Sequence, residues 1–205
     1  MLYRGDPSRR VIALTFDAGA DAGYTLDILR VLREQGVRAS FGITGLWAEA
    51  NRDALLAIAA DGHELINHTY SHRSFTGRST RTPPLTFEER SLELSRAETT
   101  VYRLTSRSTL PYFRPPFGDI DESVRADAGA LGYSTIVMWT IDTLGWDGAT
   151  REQIVARTME LAAPGAILIM HVGSDSQDAF AVEEIIGRLR ADGYGFVTIS
   201  ELIGG

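Results

Sequence analysis

The chain predicts a parallel (β/α) barrel, on two observations. Short apolar, β-prone runs alternate with amphipathic helical patterns along its whole length, an order that puts parallel strands inside and helices outside. About seven such runs can be counted, which suits a barrel better than a short open sheet. Polar side chains also recur at or just beyond the carboxyl ends of these runs, where barrels gather their reactive groups. Residues scattered by chance would not keep that phase.

Residues 11–16 are apolar and make the first strand. Residues 23–35 set Leu26, Leu29, Val31 and Leu32 near helical spacing and stop at Gly36. Residues 37–43 form a second strand. Residues 51–60 form a helix, with Asn51 as its expected N-cap and Gly62 just past its end. Residues 63–67 are a third strand. Two prolines and a glycine make 73–84 a long loop. Thr86-Phe87-Glu88-Glu89 has the form of a capping box and opens a helix to about 104. A short strand at 110–114 precedes a helix at 121–131, a strand at 134–139 and a helix at 150–161. The strand 166–171, the helix 177–191 and the strand 195–199 complete the pattern. No repeat, low-complexity segment or linker divides residues 1–205, so a single domain is expected.

With 205 residues, 44% of them hydrophobic, the chain is long enough for one well-buried core. A formal net charge of -7 argues against nucleic acid or an anionic membrane as the main partner. No apolar run is long enough to span a bilayer, and the N-terminus lacks the basic and apolar stretches of a signal peptide. The absence of cysteine excludes disulfides, zinc thiolates and a thiol nucleophile.

The most informative stretch is Asn67-His68-Thr69-Tyr70-Ser71-His72. Imidazoles at i and i+4 share one face of a helical turn, so His68 and His72 are expected to reach one metal ion. An exposed pair on a loop could equally be solvated. Three of the four histidines, however, lie at strand ends or in this motif, which favours ligation. The fourth, His63, starts a strand and faces the other end, so it reads as structural. Asp17 closes the first strand and serves as base, ligand or cap. Asp21, just before a helix, reads equally as a cap. Arg114, in Arg114-Pro115-Pro116-Phe117-Gly118, can pair with a buried carboxylate or simply anchor a proline turn. Asp142 and Trp146 follow a strand, and an exposed indole stacks on sugar rings; Trp139 reads as core. His171 ends a strongly apolar strand, as a catalytic acid or a satisfied core histidine.

Together these segments resemble the polysaccharide deacetylase family, the NodB-homology domain of carbohydrate esterase family 4, over nearly the whole chain and with five motifs in the family's order. The resemblance implies a distorted (β/α) barrel and removal of N-acetyl groups from chitin-like or peptidoglycan sugars, or O-acetyl groups from xylan. By position it makes Asp17 the catalytic base, His68 and His72 metal ligands, Arg114 the residue orienting the base and His171 the acid. The Phe117 N–H becomes an oxyanion donor and Ile169 a wall of the acetyl-methyl pocket. Two departures stand out. The family's second aspartate, a metal ligand, is Ala18 here, and the second acid of its D-x-x-D-W motif is Gly145. Asp21 offers a replacement ligand, and Asp142 an acidic neighbour for His171.

The reaction so implied is metal-assisted hydrolysis of an amide or ester on an acetylated oligo- or polysaccharide. With nitrogen and oxygen donors, zinc is the first choice of metal, ahead of cobalt, nickel and manganese. The family resemblance suggests an extracellular or cell-envelope location. Two other readings compete. One is a metal-independent relative acting on small cyclic amides; the other is a carbohydrate-binding domain that lost turnover at Ala18 and Gly145.

Overall fold

The computed structural model describes residues 1–204. Its strands are β1 (Val11–Ala18), β2 (Ser40–Ile43), β3 (Glu64–Asn67), β4 (Tyr112–Phe113), β5 (Thr135–Ile136), β6 (Ile141–Asp142), β7 (Ile167–His171) and β8 (Gly195–Val197). Seven lie in the order β5-β4-β3-β2-β1-β7-β6, and β8 pairs with the first half of β1. Every strand pair is parallel. The barrel is distorted because its ends, β5 and β6, do not pair with each other. The chain's N-terminus enters there instead, with Leu2 bridging to Val137 and Arg4 to Ala166.

Around the strands lie α1 (Thr25–Glu34), α2 (Gly45–Ala50), α3 (Arg52–Ala60), α4 (Phe87–Thr105), α5 (Glu122–Ala130), α6 (Arg151–Leu161), α7 (Asp178–Ala191) and α8 (Ile199–Gly204). The expected capping box is present, with Thr86 and Glu89 bonding reciprocally, and Thr150 with Gln153 forms a second at α6. Asn51 does not cap α3. Its side-chain amide instead donates to the Trp47 carbonyl, because α2, which the sequence pattern did not separate from a loop, ends at that point. The expected strand over 134–139 shrinks to β5, and Asp142 belongs to a short strand of its own, β6.

The period of two along β1 organises the core. Ile12, Leu14, Phe16 and Ala18 are fully buried in the large cluster beneath the helices. Each large side chain there contributes about 1.5–3 kcal/mol of burial. The intervening Ala13 packs in the barrel interior with Ile66, Val137 and Ile167, so Thr15 and Asp17 face inward. The same alternation on β7 puts Leu168 and Met170 outside and Ile167, Ile169 and His171 inside. Asp17 is the register partner of His171. Two strand ends therefore deliver a carboxylate and an imidazole side by side at the mouth of the barrel.

Candidate active site

These two residues open into a cleft of about 610 Å³, also lined by Asp21, His68, His72, Phe117, Trp139, Asp142, Trp146 and Ile169. That volume lies within the ~300–1,000 Å³ usual for small-molecule sites. The structure thus brings together all the candidate residues except Arg114, which stands directly behind the wall. Arg114 is fully buried and spends its donors in three directions. Nη1 binds Asp17 Oδ1 at 2.7 Å, Nη2 binds Thr15 Oγ1 at 2.9 Å and Nε binds the Val137 carbonyl at 3.2 Å. Burial disfavours the charged form of Asp17, but Arg114, with His68 and His171, holds its carboxyl below the usual range. Gly42 on β2 is necessary to this arrangement, since a Cβ there would sit 2.4 Å from Asp17 Oδ1.

The histidine pair is not on a helix. Residues 68–72 form a loop in which Thr69 and His72 have positive φ, 67° and 60°. The expectation of a shared helical face is corrected, although the rings do meet, with Nε2 atoms 3.2 Å apart. Side chains hold the loop in place of helical hydrogen bonds. Asn67 Oδ1 accepts from the Thr69 N–H, and Thr69 Oγ1 accepts from the His72 N–H. Glu93 of α4 accepts the N–H groups of Tyr70 and Ser71 and the Ser71 hydroxyl. Glu93 is a supporting residue that the sequence reading missed, because it looks like any polar position on a long amphipathic helix.

The donor set fits a divalent cation. His68 Nδ1 lies 2.9 Å from the Arg114 carbonyl oxygen, which can only accept, so Nδ1 carries the proton and the Nε2 lone pair faces the cleft. Burial lowers the His68 pKa, against the pull of Asp17, and burial together with His68 pushes His72 down to about 3. Two neutral imidazoles with Nε2 atoms 3.2 Å apart match the nitrogen–nitrogen edge of about 3.3 Å that tetrahedral zinc bonds of ~2.0–2.1 Å imply. Among the described residues, however, no group of three or more His, Asp or Glu side chains assembles as a complete cluster.

Asp21 is not brought in as the third donor. Its two oxygens are held by the N–H and hydroxyl of Ser174, which also lower its pKa, so it fastens the loop after β7. Asp21→Ala is therefore expected to lower Tm by about 2–4 °C, the size of losing a surface hydrogen bond, and to leave divalent-metal affinity unchanged in a calorimetric titration. Ala18 has only a methyl group and no donor atom, and it is fully buried on the opposite face of β1.

His171 has a carboxylate neighbour that the sequence reading did not anticipate. Asp178, at the start of α7 and fully buried, places Oδ2 3.8 Å from His171 Nδ1 and accepts the His171 main-chain N–H at 2.8 Å. Burial pulls the His171 pKa down, but Asp178, with Asp17 and Asp142 adding to it, holds it above the ordinary value. The expected neighbour, Asp142, is occupied elsewhere, its Oδ1 accepting from the Leu144 N–H and from the Trp146 indole. That bond presents Trp146, about half exposed, beside His171 at 6.4 Å between ring centroids.

Phe117 sits opposite, with φ 61° and its ring edge-on to His72 at 4.8 Å. A positive φ at an aromatic residue costs of order 1–3 kcal/mol, and such strain gathers at working sites. Trp139 is not purely core, since it lines the cleft above the Arg114 guanidinium. The 73–84 loop is anchored by buried Phe75 and by Asp119, which accepts from Ser74 and Ser79. His63 is structural as expected: its Nδ1 accepts the Ala39 N–H, and burial pushes its pKa down to about 4.

Fold and cleft define a hydrolase-type site in a parallel barrel, with a carboxylate, a histidine pair and a third cleft imidazole at the strand ends. The chain belongs to the polysaccharide deacetylase family, whose model matches residues 4–136. A peptidoglycan-N-acetylglucosamine deacetylase of Bacillus cereus is 31% identical over 96% of this chain and 89% of its own length. The crystal structure of a peptidoglycan N-acetylglucosamine deacetylase superposes with a TM-score of 0.89 at 29% identity, covering 98% of this chain and 91% of the other. A Bacillus anthracis protein described as a CE4 family pseudoenzyme superposes as well, at 0.89 and 27% identity over 98% of this chain and 68% of its own.

Proposed function

We propose that this protein removes N-acetyl groups from the amino sugars of peptidoglycan in a divalent-metal-dependent hydrolysis, with O-acetyl sugars as a secondary class. The observation that carries the reading is the register pairing of Asp17 with His171 beside the two facing Nε2 atoms of His68 and His72. The relatives named above support peptidoglycan over chitin or xylan. They also support a cell-envelope location; no helix among the described residues is long and apolar enough to cross a membrane.

His68 and His72 would hold the ion, zinc being the first choice. A bound divalent ion supplies Lewis acidity to the acetyl carbonyl and to the attacking water. Asp17, kept ionised by Arg114, takes the proton of that water. The Phe117 N–H donates to the developing oxyanion, a contact of a type worth about 2.7–4 kcal/mol. His171, its pKa held above the ordinary imidazole value by Asp178 against the effect of burial, gives its proton to the leaving amine as the C–N bond breaks. Ile169 packs on the acetyl methyl, and Trp146 stacks on the sugar ring.

The experiment is acetate release from N-acetylated peptidoglycan by zinc-loaded protein, alongside metal analysis. His68→Ala is expected to lose most bound zinc and at least about 10²-fold in activity, while the fold survives. Unchanged zinc content in that variant would remove the histidine pair from the mechanism. Turnover without any metal would instead favour the cyclic-amide reading. Ala18, and the likeness to a pseudoenzyme, favour a second reading as a binding domain of impaired activity. Sugar binding without acetate release would select it.

A further inference from the structure

Asp178 is a buried carboxylate whose presence the fold alone does not explain. It is fully inaccessible, and among the described residues its ion-pair partner is His171. A buried carboxylate needs such a partner to offset its desolvation. Oδ2 accepts the His171 N–H and the Ser176 hydroxyl, each at 2.8 Å. Oδ1 and His171 Nδ1 are both buried with no hydrogen-bond partner. The 3.8 Å between Nδ1 and Oδ2 closes to a hydrogen bond with a movement of about 1 Å.

Position 145 explains how the carboxylate fits. A Cβ on Gly145 would lie 2.5 Å from Asp178 Oδ1, 2.7 Å from its Cγ and 2.9 Å from its Oδ2. The two positions therefore compete for one volume beside His171. The other acids near the imidazole are committed. Asp17 binds Arg114, with its second oxygen 3.4 Å from His68, while Asp142 binds Leu144 and Trp146.

We propose that Asp178 is the positioning residue for His171, its carboxylate occupying the volume that a side chain at position 145 would take and holding the imidazole by Nδ1. The proposal rests on His171 being the general acid. His171 then donates its Nε2 proton to the leaving nitrogen and keeps its Nδ1 proton on Asp178. The rise in the His171 pKa agrees with this geometry. Asp17 on β1, Asp142 on β6, the neutral His68 and His72, and Asp21 and Asp175 line the same cleft as the imidazole. All of these are unchanged in the variants that follow.

Asp178→Asn preserves volume and the acceptor for the His171 N–H but removes the charge. In zinc-loaded protein, the expected result is a loss of about 10–100-fold in kcat on an amide substrate with KM little changed. The basic limb of kcat/KM moves to lower pH, and the His171 imidazole titrates at lower pH by NMR. Gly145→Asp combined with Asp178→Ala is expected to move the limb back up, because the carboxylate returns to the same volume from the other backbone. An unchanged limb and unchanged His171 titration in Asp178→Asn overturn the proposal, as does a double variant no better than Asp178→Ala. If Asp178→Ala does not fold, the Asn variant and the double variant decide. Failure of the underlying reading looks different: His171→Gln would then leave amide turnover intact.

Discussion

Asp17→Asn is expected to abolish turnover and to destabilise the protein, two losses that a double variant separates. The amide is isosteric but cannot take a proton, so activity falls by at least the 10²–10⁴-fold of a positioned base. It also leaves the Arg114 guanidinium buried with no anion, although Thr15 and the Val137 carbonyl still accept from it. Breaking one side of a buried pair costs about 3–5 kcal/mol, whereas replacing both partners by well-fitting neutral groups is often nearly neutral. Asp17→Asn/Arg114→Met should therefore recover most of the Tm and none of the turnover. Thermal melts and acetate release on the same samples check both. If the double variant recovered activity, Asp17 would be a structural anchor and not the base. If neither variant changed Tm, the buried pair would not be a net contributor to stability.

The barrel was legible because a parallel strand packed on both sides writes its burial directly into composition. The runs at 11–16 and 166–171 are nearly continuous apolar stretches, and both are strands. The central helices were legible through their caps, above all Thr86 with Glu89. What failed was at the rim. β4, β5 and β6 have two residues each and α2 has six, too short to express a period, although Thr44 caps α2 through its side chain.

The site divides along the same line. Residues that end strands, Asp17 and His171, could be placed because strand phase fixes which way they face. The histidine pair was found on a wrong geometric premise. Spacing suggested a helix, but the loop is shaped by local side-chain hydrogen bonds from Asn67 and Thr69 and by Glu93, which reaches it from a distant part of the chain. Asp178 was missed for a related reason. In Ser174-Asp175-Ser176-Gln177-Asp178, an acid opening a helix reads as an ordinary first-turn charge. Only the fold reveals that it faces His171 and that Gly145 leaves it room.

His171→Ala is expected to lower turnover of an N-acetyl amino sugar by about 10²–10⁴-fold while lowering hydrolysis of 4-nitrophenyl acetate by less than about 10-fold. An amine leaves only when protonated, and a nitrophenolate does not need the proton. The pH profile follows from the same two residues. Asp17, held below the usual carboxylate range, is ionised over the working range, and its protonation sets the acidic limb. His171, held above the ordinary imidazole value, must be protonated, and its loss of a proton sets the basic limb. The wild-type kcat/KM on the amide should thus be a broad bell whose basic limb vanishes in His171→Ala, leaving a small residual rate with no corresponding fall. Equal losses on amide and aryl ester, or a basic limb that persists without the imidazole, would assign the proton to another group and leave His171 as packing beside Trp146.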